Sequence, residues 1–117
     1  MRARSRDGLL FGPSRYSRGM AMFLVTLRRS GPEWDSSKPV EEQSGWADHA
    51  AFMNALVDAG FIVLGGPVDD ERVVHAIEAQ SEDDIRATLA QDPWAYSHLR
   101  FDTIEAWTVR LDGTRRR

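Results

Sequence analysis

The chain of 117 residues is long enough for one folded domain and too short for two domains with independent cores, and its apolar (42%) and charged (28%) contents are those of an ordinary globular protein. It contains no cysteine, which excludes disulfide bonds, a thiol nucleophile and cysteine-ligated zinc or iron–sulfur sites. The net charge is −3, but the segment between the two arginine-rich ends carries seven bases and seventeen acids, so we expect no nucleic-acid partner for the folded body.

Both ends of the chain are basic. Residues 1–21 contain five arginines and one acid, and residues 113–117 contain three arginines. We expect both to be disordered extensions of a single domain over residues 22–112, with binding to nucleic acid or to an anionic surface as the alternative. No stretch has the ~20 apolar residues of a membrane helix, and the first segment lacks the apolar run of a secretory signal. The sequence therefore predicts a cytoplasmic protein with no membrane partner.

The first half of the domain predicts a strand, a long loop, a helix and a second strand. Residues 22–28 (MFLVTLR) are a short run of strand-forming residues, and the Pro-, Gly- and Ser-rich segment after them is a loop. Between residues 45 and 59 apolar side chains recur at three- and four-residue steps, which predicts a helix that stops at Gly60. Residues 61–68 (FIVLGGPV) predict strand two, ended by a Gly-Gly-Pro turn.

The second half predicts a strand, a helix and a last strand. Residues 72–79 (RVVHAIEA) form strand three, and Ser81 is placed to cap a helix over residues 82–91 that stops before an Asp-Pro pair. Residues 99–111 (LRFDTIEAWTVRL) alternate as strand four. The order β-α-β-β-α-β predicts an α+β fold of ferredoxin-like type, with a four-stranded antiparallel sheet and both helices on one face.

The second face of this sheet predicts a dimer. In strands three and four, both sets of alternating residues contain apolar side chains, so neither face of the sheet is suited to water. We expect a second copy of the chain to cover the face that the helices leave open, sheet against sheet, in a homodimer of the dimeric α/β-barrel type.

Three separated signatures resemble the YciI-like family (YCII-related domain). They are WADHAAFMNALVDAGFIVLGGPV, ATLAQDPWAYSHL and the closing IEAWTVRL, and the resemblance covers residues 22–112. It implies a dimeric ferredoxin-like α+β fold with a His–Asp pair as active site, which by motif is His49 and Asp92. Lyase or dehydrochlorinase chemistry on hydroxylated aromatics is known among similar proteins. Trp46 stands where many members carry an arginine, and this departure leaves the substrate open.

His49 and Asp92 are thus the candidate catalytic residues, and each also has a structural interpretation. His49 falls within the apolar arc of its helix, where a histidine is often a packed core residue. Asp92 precedes a proline at a helix end, where Asp-Pro commonly forms a turn, although a carboxylate gains little at that end of the helix dipole. If the two side chains meet, the carboxylate fixes the tautomer of an imidazole that can act as a general base.

Three aromatic residues are candidates for substrate binding. Trp46 and Phe52 lie three residues on either side of His49, one helical turn away, so both can neighbour it. Together with Trp94, which follows the Asp-Pro pair, they can wall an apolar pocket for a ring-shaped small molecule. Packing in the core is the alternative for each of them.

Gly66 and Pro67 complete the predicted binding residues, because backbone can approach a ligand closely there; the alternative is that they only end strand two. The other two histidines are His75, interpreted as a sheet-face or interface residue, and His98. No His-x-His or His-x-x-x-His spacing occurs, so we expect no metal, and the predicted chemistry requires no cofactor.

Three functions fit this sequence. The first is an enzyme that uses His49 as base and Asp92 as its orienter, for isomerisation or elimination on a small cyclic or aromatic compound. The second is a non-catalytic sensor that binds a ligand in the same pocket. The third is a structural dimerisation module in which the histidine only packs. We favour the first, and fold alone does not select among them.

Overall fold

The computed structural model describes residues 19–115, so most of the predicted N-terminal extension and the last two residues of the predicted tail lie outside it. Four strands, two helices and two short 3-10 helices follow one another: β1 (Ala21–Arg28), a 3-10 helix (Val40–Glu42), α1 (Trp46–Asp58), β2 (Ile62–Pro67), β3 (Arg72–Ala79), α2 (Glu82–Leu89), β4 (Arg100–Ala106) and a 3-10 helix (Gly113–Arg115). The predicted α+β class is confirmed, with one four-stranded antiparallel sheet and two helices. The strand order β2-β3-β1-β4 is compatible with a ferredoxin-like layout.

Strand β1 lies inside the sheet, and its register determines which side chains share a face. Val25 lies opposite His75 of β3 and Ile104 of β4. Because side chains alternate across a strand, these residues point toward the same side of the sheet. Both helices pack on that side, and the buried core there consists of Val25, Leu27, Ile62, Ile77, Ala79, Ile85, Leu89, Trp94 and Leu99.

Local capping explains where the helices begin and end. Gly45 precedes α1 with a φ of 73°, and Gly60 follows it with a φ of 81°, a left-handed conformation that glycine adopts at low cost. The Ser81 hydroxyl accepts a hydrogen bond from the backbone N–H of Asp84 at 3.1 Å, which caps α2 as predicted. The helices are one to two residues shorter at their ends than the sequence pattern predicts.

Two predicted strand ends are wrong. The Gly-Gly-Pro segment does not end β2 but belongs to it, with Gly65 opposite His75 and Pro67 opposite Val73. Because β2 is an edge strand, a proline without an N–H can stay in it. Strand β4 ends at Ala106, which lies opposite Phe23, rather than at residue 111; one more hydrogen bond, from the N–H of Trp107 to the carbonyl of Met22, continues the pairing with β1 beyond it.

The face of the sheet turned away from the helices is apolar. Residues of the C-terminal segment after β4, together with Met22, Leu64 and Ala76, enclose a cavity of about 370 Å³ over this face. Leu64 and Trp107 keep about half of their surface exposed there, 59% and 44% respectively. Within residues 19–115, neither helix has the length and apolar character needed to cross a membrane.

Candidate functional site

His49 and Asp92, 43 residues apart in the chain, form a buried pair. The Nδ1 of His49 lies 2.8 Å from Oδ1 and 2.9 Å from Oδ2 of Asp92. The two side chains are only 11% and 3% exposed. His49 is carried by the first turn of α1, and Asp92 lies in the turn that follows α2, where its N–H donates to the carbonyl of Leu89. The structure thus brings together the two residues predicted as catalytic.

The hydrogen bonds of Asp92 define the tautomer of the neutral His49 ring. An ionised carboxylate only accepts hydrogen bonds, so the proton between the two groups belongs to Nδ1 of His49. Oδ1 of Asp92 also accepts from the backbone N–H of Trp94 at 2.9 Å, which holds the carboxylate in place. The Nε2 of His49 therefore carries the lone pair and is the nitrogen left to meet a ligand.

Trp94 stacks between two imidazoles, those of His49 and His98. Its ring centroid is 4.0 Å from that of His49, with the planes 7° apart, and 4.4 Å from that of His98, with the planes 15° apart. The indole N–H donates to the Ser44 carbonyl at 2.9 Å. His98 is held through its two ring nitrogens by the hydroxyls of Ser44 and Ser97, and burial lowers its pKa. This stack fixes the plane of the His49 ring.

The long loop between β1 and α1 is hydrogen-bonded to the segment after α2 that carries Asp92, Trp94 and His98. The N–H of Gly31 donates to the His98 carbonyl at 3.2 Å, and a Cβ at Gly31 would collide with the backbone of Ser97. Trp34 meets the Trp94 ring edge-on at 5.9 Å. The buried amide of Gln43 binds backbone groups within the loop. The loop is therefore part of the wall that positions the site.

A cavity of about 420 Å³ opens beside His49, between α1 and the sheet. Four of the five residues predicted to bind substrate line it: Trp46, Gly66, Pro67 and Trp94. Phe52 is not among the lining residues; it packs against the core, which was its alternative interpretation. Asp92 also does not line the cavity, because it lies behind the His49 ring and reaches the cavity only through it.

The sequence interpretation missed His75, which lines the same cavity. Its side chain lies on the helix-covered face of β3, and the residue is only 6% exposed. Burial, and to a lesser extent a positive charge on His49, lower the pKa of His75 to about 4, against an opposing effect of Asp92. The signal that could have placed it on this face is the two-residue spacing of His75 from Val73 and Ile77, which puts the three side chains on one side of β3.

Two charged residues border the cavity on its loop side. The guanidinium of Arg29 lies 5.0 Å from the centroid of the Trp34 ring, and Arg29 makes no ion pair with an acid of residues 19–115. Glu41, in the 3-10 helix before α1, also lines the cavity. The remaining wall is mainly aromatic and aliphatic, which suits a small molecule with an apolar body and a few polar groups.

The arrangement places a carboxylate-backed imidazole in contact with a cavity, which is a geometry for accepting a proton from a bound molecule. In the described part of the chain, no three His, Asp or Glu side chains are grouped closely enough to hold a metal ion. Comparisons of the chain with models of protein families, with curated proteins and with solved structures find no match, so a functional assignment rests on the geometry of this site.

Proposed function

We propose that this protein is a YciI-like enzyme that binds a small cyclic or aromatic compound and catalyses an isomerisation or an elimination by acid–base chemistry. The observation that carries the proposal is the two-oxygen contact of Asp92 with Nδ1 of His49 beside a cavity. A histidine that only packed in the core would not need a buried carboxylate behind it, because burying a carboxylate costs free energy unless it is well paired.

The cavity fits a compound of one or two rings. Its volume of about 420 Å³ is within the range of small-molecule sites. The ring of Trp46, with its centroid 5.9 Å from that of His49, supplies a flat apolar wall, and Trp94 adds a ring edge, because imidazoles cover both of its faces. These walls favour a planar or nearly planar ligand lying across the imidazole edge.

In the proposed step, Nε2 of His49 accepts a proton from the bound molecule. Asp92 keeps the ring in the required tautomer and stabilises the imidazolium that forms. In an isomerisation His49 returns the proton to a different atom of the same molecule. In an elimination the electron pair of the broken C–H bond forms a double bond to the neighbouring carbon, and the leaving group departs from that carbon with its own bonding pair. Both routes draw on the same two side chains.

We expect His49→Gln and Asp92→Asn each to lower turnover by about 100-fold or more, the usual contribution of a positioned general base. Glutamine cannot accept the proton as imidazole does, and an asparagine amide that donates to Nδ1 would move the ring proton to Nε2. Turnover can be measured by NMR in D2O on a panel of cyclic enones, lactones and hydroxylated aromatics.

Tyr96→Phe is the control for this series, since Tyr96 is 80% exposed and lies outside the cavity. Wild-type turnover that survives in His49→Gln would contradict the proposal. Tight binding of panel compounds without any turnover by the wild type would support the alternative, a ligand sensor that uses the same cavity. Loss of folding in both dyad variants, without binding by the wild type, would support a structural module.

We also propose that the chain forms a homodimer through the apolar sheet face. Support comes from the exposed Leu64 and Trp107 beside a second cavity on that face. We expect Leu64→Asp to convert a particle of twice the chain mass into a monomer, as measured by light scattering after gel filtration, because a charge would have to be buried in the interface. Tyr96→Asp, on the helix side, should leave the mass unchanged; a monomeric wild type would contradict the dimer.

A further inference from the structure

His75 is the buried polar group of the cavity that the His49–Asp92 chemistry does not use. It lies in the middle of β3, with Val25 on one side and Gly65 on the other. It is 6% exposed, and the cavity that it lines is the one that His49 lines. A positive charge on His49 lowers the pKa of His75, as expected of two imidazoles that border one cavity.

The neighbouring strand makes room for this ring. A Cβ at Gly65 would collide with Cδ2 of His75, so any side chain larger than hydrogen would force the imidazole to move. Glycine inside a strand weakens it and often marks a close approach of another group. Gly66, the next residue, has open space where its Cβ would be. Only the first of the two glycines is thus required by the imidazole.

The nitrogens of His75 are not equivalent. Nδ1 is buried and has no hydrogen-bond partner among residues 19–115. A buried lone pair without a partner is tolerated better than a buried N–H without one, so the neutral ring carries its proton on Nε2. The lowered pKa of about 4 keeps the ring neutral at neutral pH. His75 therefore presents an N–H donor to the cavity, whereas His49 presents a lone pair.

We propose that His75 is a second ligand-contacting residue, which donates a hydrogen bond from Nε2 to the carbonyl oxygen of the substrate while His49 removes a proton from the adjacent carbon. This inference rests on the proposed function and names its substrate class, a cyclic carbonyl compound with an enolisable C–H. A paired acceptor and donor in one apolar cavity is the arrangement that such a proton abstraction needs.

The step balances without a co-reactant. The C–H electron pair forms a carbon–carbon double bond, and the carbonyl π pair moves to oxygen, where the His75 N–H stabilises the developing negative charge. The proton resides on Nε2 of His49. In a substrate whose enolate is conjugated with a further double bond, it returns to the far carbon of that bond, the double bond shifts and the carbonyl forms again, which completes an isomerisation. His75 remains neutral throughout, and it acts by hydrogen bonding.

The test uses two probes and the full chain. 2-Cyclohexen-1-one reports enolisation through exchange of its ring hydrogens in D2O, and 4-nitrophenolate mimics the enolate oxygen and reports binding by absorbance. We expect His75→Leu to slow the exchange and to weaken phenolate binding by about 10-fold or more, the loss typical of one buried hydrogen bond to a charged group. His49→Gln should abolish exchange and still bind the phenolate.

The outcomes separate the two proposals. Exchange that needs His49 but is unchanged in His75→Leu, with unchanged phenolate binding, overturns the role of His75 and leaves the proposed function standing. Phenolate binding that needs His75, without any exchange by the wild type, supports the His75 contact while the proposed catalysis fails. A wild type that neither binds the phenolate nor exchanges the hydrogens of the enone overturns the substrate class.

A second variant and a spectroscopic readout guard against misfolding of His75→Leu. The ¹⁵N shifts of the wild-type ring should show a protonated Nε2 and a lone pair on Nδ1; the opposite tautomer overturns the proposal. Gly65→Ala should displace the His75 signals and weaken phenolate binding. In Gly66→Ala, the matched control for ring position, those signals should stay in place. Unmoved signals in both glycine variants would contradict the proposed packing.

Discussion

Replacing Asp92 with alanine is expected to lower the free energy of unfolding by about 3 kcal/mol, as when one partner of a buried polar pair is removed. The carboxylate accepts from Nδ1 of His49 and from the backbone N–H of Trp94. Alanine would leave both donors inside the protein without a partner, and each such group carries its full desolvation cost. Urea unfolding at pH 7 measures the difference.

Asp102→Ala is the matched control for this loss. Asp102 also accepts from a cation, with Arg28 Nε at 3.1 Å, but its side chain is 33% exposed. A surface pair of this kind contributes about 0–1 kcal/mol, because water screens it and replaces the lost partner. Equal losses in Asp92→Ala and Asp102→Ala would show that the His49–Asp92 contact does not stabilise the fold. A double-mutant cycle with His49→Leu would isolate the coupling between the two side chains.

Acid should destabilise the protein through His75. Its pKa is about 4 in the folded chain and 6.5 in the unfolded chain, so between these values the unfolded state binds a proton that the folded state does not. The free energy of unfolding is therefore unaffected by protonation of His75 above pH 6.5. It falls as the pH drops from 6.5 toward 4, by about 3 kcal/mol in total. Urea midpoints measured between pH 7.5 and pH 4 test this.

His75→Leu identifies the source of that pH dependence. The variant should be more stable than the wild type at pH 5, because leucine removes both the titration and the unpartnered Nδ1. In the variant, the free energy of unfolding should still fall with decreasing pH, but less steeply, since the pKa of His98 is also lowered. Identical pH profiles would contradict the assignment.

The elements that the sequence predicts correctly depend on local chemistry. Ser81 and Gly60 mark helix ends because a cap involves only residues within one turn. The length of β4 depends instead on its pairing with β1, and the place of Pro67 depends on β2 being an edge strand. These are properties of the assembled sheet, and a pattern within one segment does not contain them.

In the candidate site, too, local patterns are predictable from the sequence, whereas contacts between distant segments are not. Helical periodicity placed His49 on an apolar face, but its contact with Asp92 joins residues 43 positions apart, and the prediction of that pair depended on a resemblance to a family. The sequence alone identifies His75 only as a sheet-face or interface residue, because its role depends on which face of the sheet the helices cover. The relation of Gly65 to His75 is a contact between neighbouring strands, which only the register reveals.

The stacking of Trp94 between His49 and His98 gives the protein a built-in optical reporter. An indole in face contact with an imidazole senses a positive charge on that ring through its π electrons. Of the four tryptophans, Trp34 and Trp46 touch the Trp94 ring, whereas Trp107 lies on the opposite side of the sheet. Ultraviolet absorption and emission of the unlabelled chain thus record what happens to the imidazoles of the site.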